Sequence, residues 1–325
     1  MRAVQLKQFG GAEEMYIGDV PMPQRKTGEV LVKVHASALN RADLLQRQGK
    51  YPPPKGESEI LGLEMAGIVL ETEGNSIWQA GDRVMGLLAG GGQAECVSVA
   101  ESLLMAIPGN LSFKEAAAIP EVFLTAFQSL FFEGKTERGA TALIHAGASG
   151  VGTAAIQLGR IEGIKIFVTC SLSKHKACLA LGATLAIDYK REVFDEVVLT
   201  NTDGHGVNII LDFIGAANLQ ANIRSLAEGG KLIMIALMGG FKAESINLLP
   251  ILQKHLTITG TTLRSRPLPY KAQLVQAFSK KYLSYFETGN LVPVIDSVYK
   301  LADIAETHRH MEANKNIGKI VIEIE

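Results

Sequence analysis

The stretch TALIHAGASGVGTAAIQLGR, residues 141–160, decides the fold. An apolar strand pattern runs directly into Gly147-Ala148-Ser149-Gly150-Val151-Gly152, and helical spacing follows at once. A diphosphate can sit on free backbone N–H groups at the positive end of a helix, provided little side-chain bulk intervenes, and glycines supply that room. Strand, glycine turn and helix in that order are the signature of a dinucleotide-binding unit. In the G-x-G-x-x-G reading Gly147 and Gly152 take the first and third positions and Ser149 takes the second. A hydroxyl there could bond a phosphate, point toward substrate, or serve as a small residue suited to a turn and a helix cap.

Working outward, the pattern repeats. KIFVTC, LAIDY, VNIILDFI, KLIMIAL and LTITGTT read as strands, with helices such as KHKACLALGA between them. Alternating strand and helix predicts an α/β fold with a doubly wound parallel sheet of the Rossmann type. Up to about Ala100 the texture is different: GEVLVKVHASAL, EMAGIVLET and AECVSVA alternate polar and apolar residues and are separated by turns, which predicts a mainly β region. After Arg264 come a long helix, a short segment, a further helix and the strand GKIVIEIE, expected to return to the first domain. The boundaries expected are residues 1–120 and 265–325 for the mainly β domain and 121–264 for the cofactor domain, packed closely with a cleft between them.

Composition narrows the function. With 325 residues, two domains with separate cores are expected. Lys and Arg total 32 against 33 Asp and Glu, so no global charge draws the protein to phosphate backbones or anionic lipid, and nucleic acid is not an expected partner. The N-terminus lacks the apolar core of a secretory signal, and no apolar run approaches the roughly 18 residues of a membrane span. The three cysteines, Cys96, Cys170 and Cys178, have no CxxC spacing, which excludes a disulfide framework or a multi-cysteine zinc site. A cytoplasmic location is expected.

The end of the second strand of the dinucleotide unit bears on cofactor choice. Enzymes that use NAD place a carboxylate there on the ribose 2′-hydroxyl, about 20 residues beyond the glycines. Here the segment is Thr169-Cys170-Ser171-Leu172-Ser173-Lys174, and no acid follows until Asp188. Hydroxyls and a cation suit a 2′-phosphate, so NADPH is the expected cofactor, with Ser171 and Lys174 as contacts.

These residues resemble the medium-chain dehydrogenase/reductases and, within them, the zeta-crystallin-like quinone oxidoreductases, closest to the stress-inducible branch. The likeness runs over essentially the whole chain through ASALNRADLLQRQGKYPPP, ILGLEMAGIV, GDRVMGLLAGGGQAECV, AAAIPEVFLTAF, HAGASGVG and MEANKNIGKIV. It implies a GroES-like domain built from both chain ends, a Rossmann domain between them, NADPH-dependent reduction of quinones, and a homodimer. Zinc-dependent members carry Cys and His where this chain has Asn40 and Leu63. Neither can replace a thiolate or an imidazole on zinc, so a metal-independent reaction is implied.

By the same matching, Asn40 and Tyr51 face nicotinamide and substrate. Tyr189 lies by the adenosine. Met238, Gly239 and Gly240 form the loop over the nicotinamide ribose, and Thr262, Leu263 and Arg264 form the next loop. Asn314, Asn316 and Lys319 border the cofactor. Each also has a plain structural reading, as turn, packing or surface residue. His145 reads as a hydrogen-bonded strand-end histidine, Asp212 as a support for the cofactor loop, and Asp43 and Glu64 as too far apart in sequence to assert a paired-carboxylate site. Ser149, Tyr51 and Asn40 are the candidate catalytic residues. The reaction expected is hydride transfer to a quinone, with possible one-electron reduction to semiquinone. The alternatives are reduction of an enoyl thioester or alkenal/one double bond, and a non-enzymatic NADPH-binding structural or RNA-binding role.

Overall fold

A computed structural model describes residues 1–324. The chain divides into two compact units, one formed by Met1–Leu124 and the chain from Leu263 onward, the other by Thr125–Thr262.

In the second unit six strands lie side by side: Leu185–Asp188, Lys165–Cys170, Thr141–Ile144, Val207–Asp212, Leu226–Met234 and Thr257–Gly260. Numbered along the chain, that order is 3-2-1-4-5-6, and every pairing is parallel. It is the doubly wound arrangement expected of the alternating pattern. The reversal of direction falls at Thr141–Ile144, the strand that feeds the glycine turn. Leu143, Phe167, Ile187, Phe194, Val198, Ile210 and Leu232 belong to the core of the unit, the central strands being mainly apolar as expected of a covered sheet. Residues 231–237 read as one strand, yet the observed strand begins at Leu226 and ends at Met234. An irregularity in its pairing with the preceding strand accounts for the extension: Leu226 pairs with Val207, and regular register resumes only at Lys231 opposite Ile209.

The first unit is built on a seven-stranded sheet, antiparallel except where Ile295–Lys300 runs parallel to Lys319–Glu323. The long strand Glu29–Leu39 is its centre: it pairs with Glu64–Glu71, Cys96–Ala100 and the late strand Lys319–Glu323, in which Ile320 lies opposite Leu39. This last pairing brings Lys319 to the end of the strand that leads into Asn40. The helix Leu268–Glu287 buries Leu274, Phe278, Tyr282 and Phe286, a spacing of four that makes one apolar face. Phe123 meets Phe286 edge-on at 5.0 Å and Phe278 at 6.2 Å.

The units divide at Leu124/Thr125 and Thr262/Leu263, close to the expected boundaries at 120/121 and 264/265. Leu263 and Arg264 belong with the mainly β unit, since Leu263 is buried there and Arg264 donates every bond described below to residues of that unit.

Candidate functional site

Each unit carries a cluster with its own chemistry. In the second unit, His145 and Ala146 follow the strand Thr141–Ile144, and Ala146 turns the chain through the left-handed region (φ +50°). Gly147 N–H donates to Thr169 O at 3.0 Å. A Cβ on Gly147 would lie 2.5 Å from Val168 Cβ, and one on Gly152 would lie 2.5 Å from Gly147 O. Both positions therefore require glycine for the turn to close on the neighbouring strand. Ser149 is the N-cap of the helix Gly150–Glu162, and its Oγ accepts from Gly152 N at 3.1 Å. Of the readings open for Ser149, the structure fills the capping one. Gly150 and Val151 occupy the first turn, where no intrahelical acceptor precedes their N–H groups, so this turn fits a phosphate.

The surrounding groups hold that turn. His145 is fully buried, with Nδ1 2.9 Å from Thr169 Oγ1 and Nε2 2.7 Å from Asn222 Oδ1. Burial pushes its pKa down, and with both nitrogens engaged it is a satisfied core histidine. Asp212 accepts from Ile214 N at 2.8 Å and Gly215 N at 3.0 Å. That turn in turn binds the next loop: Met238 N donates to Phe213 O, Gly239 N to Ile214 O, and Ala216 N to Gly240 O. Asp212 thus supports the Met238-Gly239-Gly240 loop through the backbone, and Met238 itself is exposed.

At the end of the second strand, Ser171 and Lys174 bracket a 3-10 turn in which Lys174 N donates to Ser171 O at 2.8 Å. Both are partly exposed, and Tyr189 at the end of the neighbouring strand is exposed. Asp188, the first acid after Lys174, is buried and accepts from Lys190 N. One feature escaped the reading by spacing: Cys170 and Cys178, eight residues apart, lie with sulfurs 3.8 Å from each other because the helix His175–Leu181 folds back over the strand end.

The first unit holds a buried polar network around Asn40, at the junction of the strand Glu29–Leu39 and the helix Arg41–Arg47. Asn40 N donates to Asp43 Oδ2 at 2.8 Å, its Nδ2 donates to Glu64 Oε1 at 2.9 Å, and its Oδ1 accepts from Lys319 Nζ at 2.7 Å. Lys319 also lies 2.7 Å from Glu64 Oε1 and donates to Leu39 O. Glu64 Oε2 accepts from Glu121 N at 2.8 Å, and Asp43 Oδ1 from Gly62 N at 2.9 Å. Gly62 has φ +105°, and a Cβ there would meet Gln93 N at 2.5 Å. Burial raises the Asp43 carboxyl to about 6, against the opposing pull of the two N–H bonds. Burial, and then the charge of Glu64, raise Glu121 to about 8. Asp43 and Glu64, distant in sequence, thus share one network; strand pairing joins them, which linear spacing does not reveal.

Arg264 donates to Ala89 O at 2.7 Å, Gln46 Oε1 at 2.7 Å and Tyr51 O at 3.3 Å, and its guanidinium lies 5.3 Å from the centre of the Tyr51 ring. It fixes the Tyr51 segment from below. Tyr51 is half-buried, and desolvation raises its phenol above the usual range. Thr262 O accepts from Gln128 Nε2 within the second unit. Asn316 Nδ2 donates to Gly318 O, and Asn314 Oδ1 accepts from Arg41. Lys319, grouped from the sequence with these terminal residues, is instead the cation at the centre of the buried network.

That network does not suit zinc. Leu63 offers no donor, Asn40 is committed through both ends of its amide, and the Lys319 ammonium already supplies the positive charge beside Glu64.

A parallel sheet with a glycine turn, joined in one chain to a mainly β unit, is the build of a two-domain dinucleotide-binding protein. The chain belongs to the medium-chain dehydrogenase/reductase superfamily: residues 26–125 match the family model for the alcohol dehydrogenase GroES-like domain, and residues 150–280 match that for zinc-binding dehydrogenases. It is 33% identical to the human synaptic vesicle membrane protein VAT-1 homolog over 99% of this chain and 86% of that one. Identity to human quinone oxidoreductase is 29%, over 99% and 97%. Among solved structures, Escherichia coli quinone oxidoreductase complexed with NADPH superposes with a TM-score of 0.89 at 25% identity, covering 99% of this chain and 100% of that chain. The JamJ enoyl reductase gives 0.89 at 26%, covering 100% and 99%. Among the described residues, no helix is long and apolar enough to cross a membrane.

Proposed function

We propose that the chain is an NADPH-dependent quinone reductase that acts without zinc. The observation that carries this reading is the Asn40–Lys319–Glu64 arrangement, in which an ammonium and an amide occupy the polar centre of the first unit and leave no donor set for a Lewis acid. Without one, activation of an alcohol is disfavoured, whereas a quinone is an intrinsically good hydride acceptor. Quinone oxidoreductases occur among the relatives in both comparisons and support the same direction, beside the VAT-1 homolog and the enoyl reductase.

When bound, the reduced nicotinamide supplies the hydride. The chain's own residues bind and orient. Gly147, Ala148, Ser149, Gly150, Val151 and Gly152 hold the diphosphate on the first turn of a helix, Ser171 and Lys174 take the 2′-phosphate, and Tyr189 lies against the adenosine. Met238, Gly239, Gly240 and Thr262 are the second unit's candidates for the nicotinamide end, and Asn316 is the first unit's. Leu263 is a further candidate cofactor contact, and Arg264 acts one step back, by fixing the Tyr51 segment. For the acceptor, Tyr51 and Asn40 are the candidates in the first unit, Asn40 acting through the network it holds, and Ser149 is the candidate in the second. We assign the protein to the cytoplasm as a homodimer, a state that sedimentation of the purified protein measures.

A screen of NADPH oxidation with ortho-quinones, para-quinones, enones and an enoyl thioester tests the reading. Quinones should give the highest kcat/KM. A preference for the enoyl thioester would favour the double-bond reductase, to which the enoyl reductase neighbour points. If Ser149→Val and Tyr51→Phe both left kcat/KM for quinones unchanged, their roles would be wrongly assigned.

A further inference from the structure

We propose that Glu121 supplies the proton that the acceptor takes up together with the hydride. The proposal rests on the reading of the chain as a hydride-transfer enzyme and deepens it by naming the acid.

Three carboxyl groups share the network in the first unit, and their hydrogen bonds separate them. Both oxygens of Asp43 accept backbone N–H groups, from Asn40 and Gly62. Both oxygens of Glu64 are also engaged, Oε1 by Asn40 and Lys319 and Oε2 by the main-chain N–H of Glu121. Glu121 is different. Its backbone is anchored, yet its carboxyl Oε2 is sealed from solvent and makes no hydrogen bond within the chain. Glu121 as a whole is half-buried, and a sealed carboxyl oxygen that served only the fold would be paired or bonded.

The groups that face Glu121 do not pair with it. They are Glu64 from the strand Glu64–Glu71, Asp43 from the helix Arg41–Arg47, Lys319 from the strand Lys319–Glu323, Arg264, Tyr51, and Lys271 from the helix Leu268–Glu287. Lys319 is committed to Glu64, Asn40 and Leu39, and Arg264 to Ala89, Gln46 and the Tyr51 carbonyl. Two of the neighbours, Glu64 and Asp43, are themselves acids. Desolvation and the Glu64 charge therefore favour the neutral carboxylic acid near neutral pH, the form that can donate. Tyr51 is half-buried, and desolvation first, then the Glu121 charge, raises its phenol above the usual range.

In the two-electron reaction the acceptor is reduced by one hydride and takes one proton, and the nicotinamide is oxidised. The O–H bond of Glu121 breaks, a new O–H forms on the acceptor, and Glu121 remains as a carboxylate until solvent reprotonates it. Asp43, with both oxygens holding backbone in place, has no such freedom.

The test begins with the protein free of cofactor. Infrared spectra should show a protonated carboxyl band that is present at pH 7, titrates away near pH 8, and is missing in Glu121→Gln; Glu121→Asp, which shifts the band, makes the assignment if the Gln variant does not fold. In turnover with a quinone, wild-type kcat should fall as pH rises through about 8, because the donor must be protonated. Glu121→Gln should lower kcat by about 10²-fold, the size expected for loss of one positioned acid, and abolish that pH step while leaving NADPH affinity within about twofold. An ionised Glu121 at pH 7, or a Gln variant with wild-type kcat and pH profile, overturns the proposal. A wild-type protein that shows the band yet reduces neither quinone nor enone brings down the hydride-transfer reading itself, a result distinct from a Gln variant that matches wild type.

Discussion

Lys319 Nζ and Glu64 Oε1 are 2.7 Å apart, 3% and 0% exposed, and between them they hold the side-chain amide of Asn40. The cation comes from a strand near the chain's C-terminal end and the acid from one near residue 64, so their meeting depends on the central strand Glu29–Leu39 pairing with both. Removing one partner of a buried ion pair leaves the other charge uncompensated, which costs about 3–5 kcal/mol. Lys319→Met should lower stability to urea by that order, and the double variant Lys319→Met/Glu64→Gln should recover part of the loss. Equal stability of Lys319→Met and wild type would show that the pair does not form.

Ser149 caps the helix that receives the diphosphate. Ser149→Ala should cost about 1 kcal/mol through loss of the bond to Gly152 N, and Ser149→Thr should retain most of it. Thermal melts of the two variants, in the absence of cofactor, separate this capping role from any contact with substrate. An Ala variant as stable as wild type would remove the cap from the account.

Gly152→Ala should be far more damaging to cofactor binding than its single methyl suggests. The new Cβ would lie 2.5 Å from Gly147 O and 2.6 Å from Ala146 O, both backbone atoms of the turn. NADPH fluorescence on titration with this variant should show at least a tenfold loss of affinity, about 1.4 kcal/mol. Retained affinity would mean that the turn opens without cost.

His308 offers a check on the first unit by pH. Burial, and then the neighbouring Arg47, push its pKa down to about 3 from an unfolded value near 6.5. The folded state thus binds fewer protons than the unfolded chain in that window, so the neutral ring's contribution is present above pH 6.5 and is lost as pH falls toward 3. In urea titrations the stability difference between wild type and His308→Gln should shift against wild type from pH 7 to pH 4. A difference that stays constant would place His308 in water.

The doubly wound sheet was legible because its strands are apolar runs separated by amphipathic helices, and the glycine turn because Gly147 and Gly152 leave no space for a side chain. His145 and Asp212 were legible too, as strand-end residues whose polar atoms had to be satisfied next to a turn. The buried network was not. Asn40 could be singled out by resemblance, but Glu64 and Lys319 reach it through strands that pair with Glu29–Leu39, Asp43 and Glu121 join from two helices, and Arg264 packs nearby, and no local period records such a meeting. The adjacent sulfurs of Cys170 and Cys178 were missed for the same reason, since they meet across a strand–helix turn.

Lys174 should decide cofactor choice. A charge-assisted contact to a 2′-phosphate is worth about 1.5–3 kcal/mol, so Lys174→Ala should weaken NADPH by about tenfold or more and leave NADH unchanged. Equal losses for both cofactors would make Lys174 a general contact.

Calorimetric titration of the wild-type protein with NADPH and, separately, with NADH tests the whole account most directly. NADPH should bind at least tenfold more tightly, about 1.4 kcal/mol, as hydroxyl and ammonium groups in place of a carboxylate require. Absence of NADPH binding, or tighter binding of NADH, would contradict it.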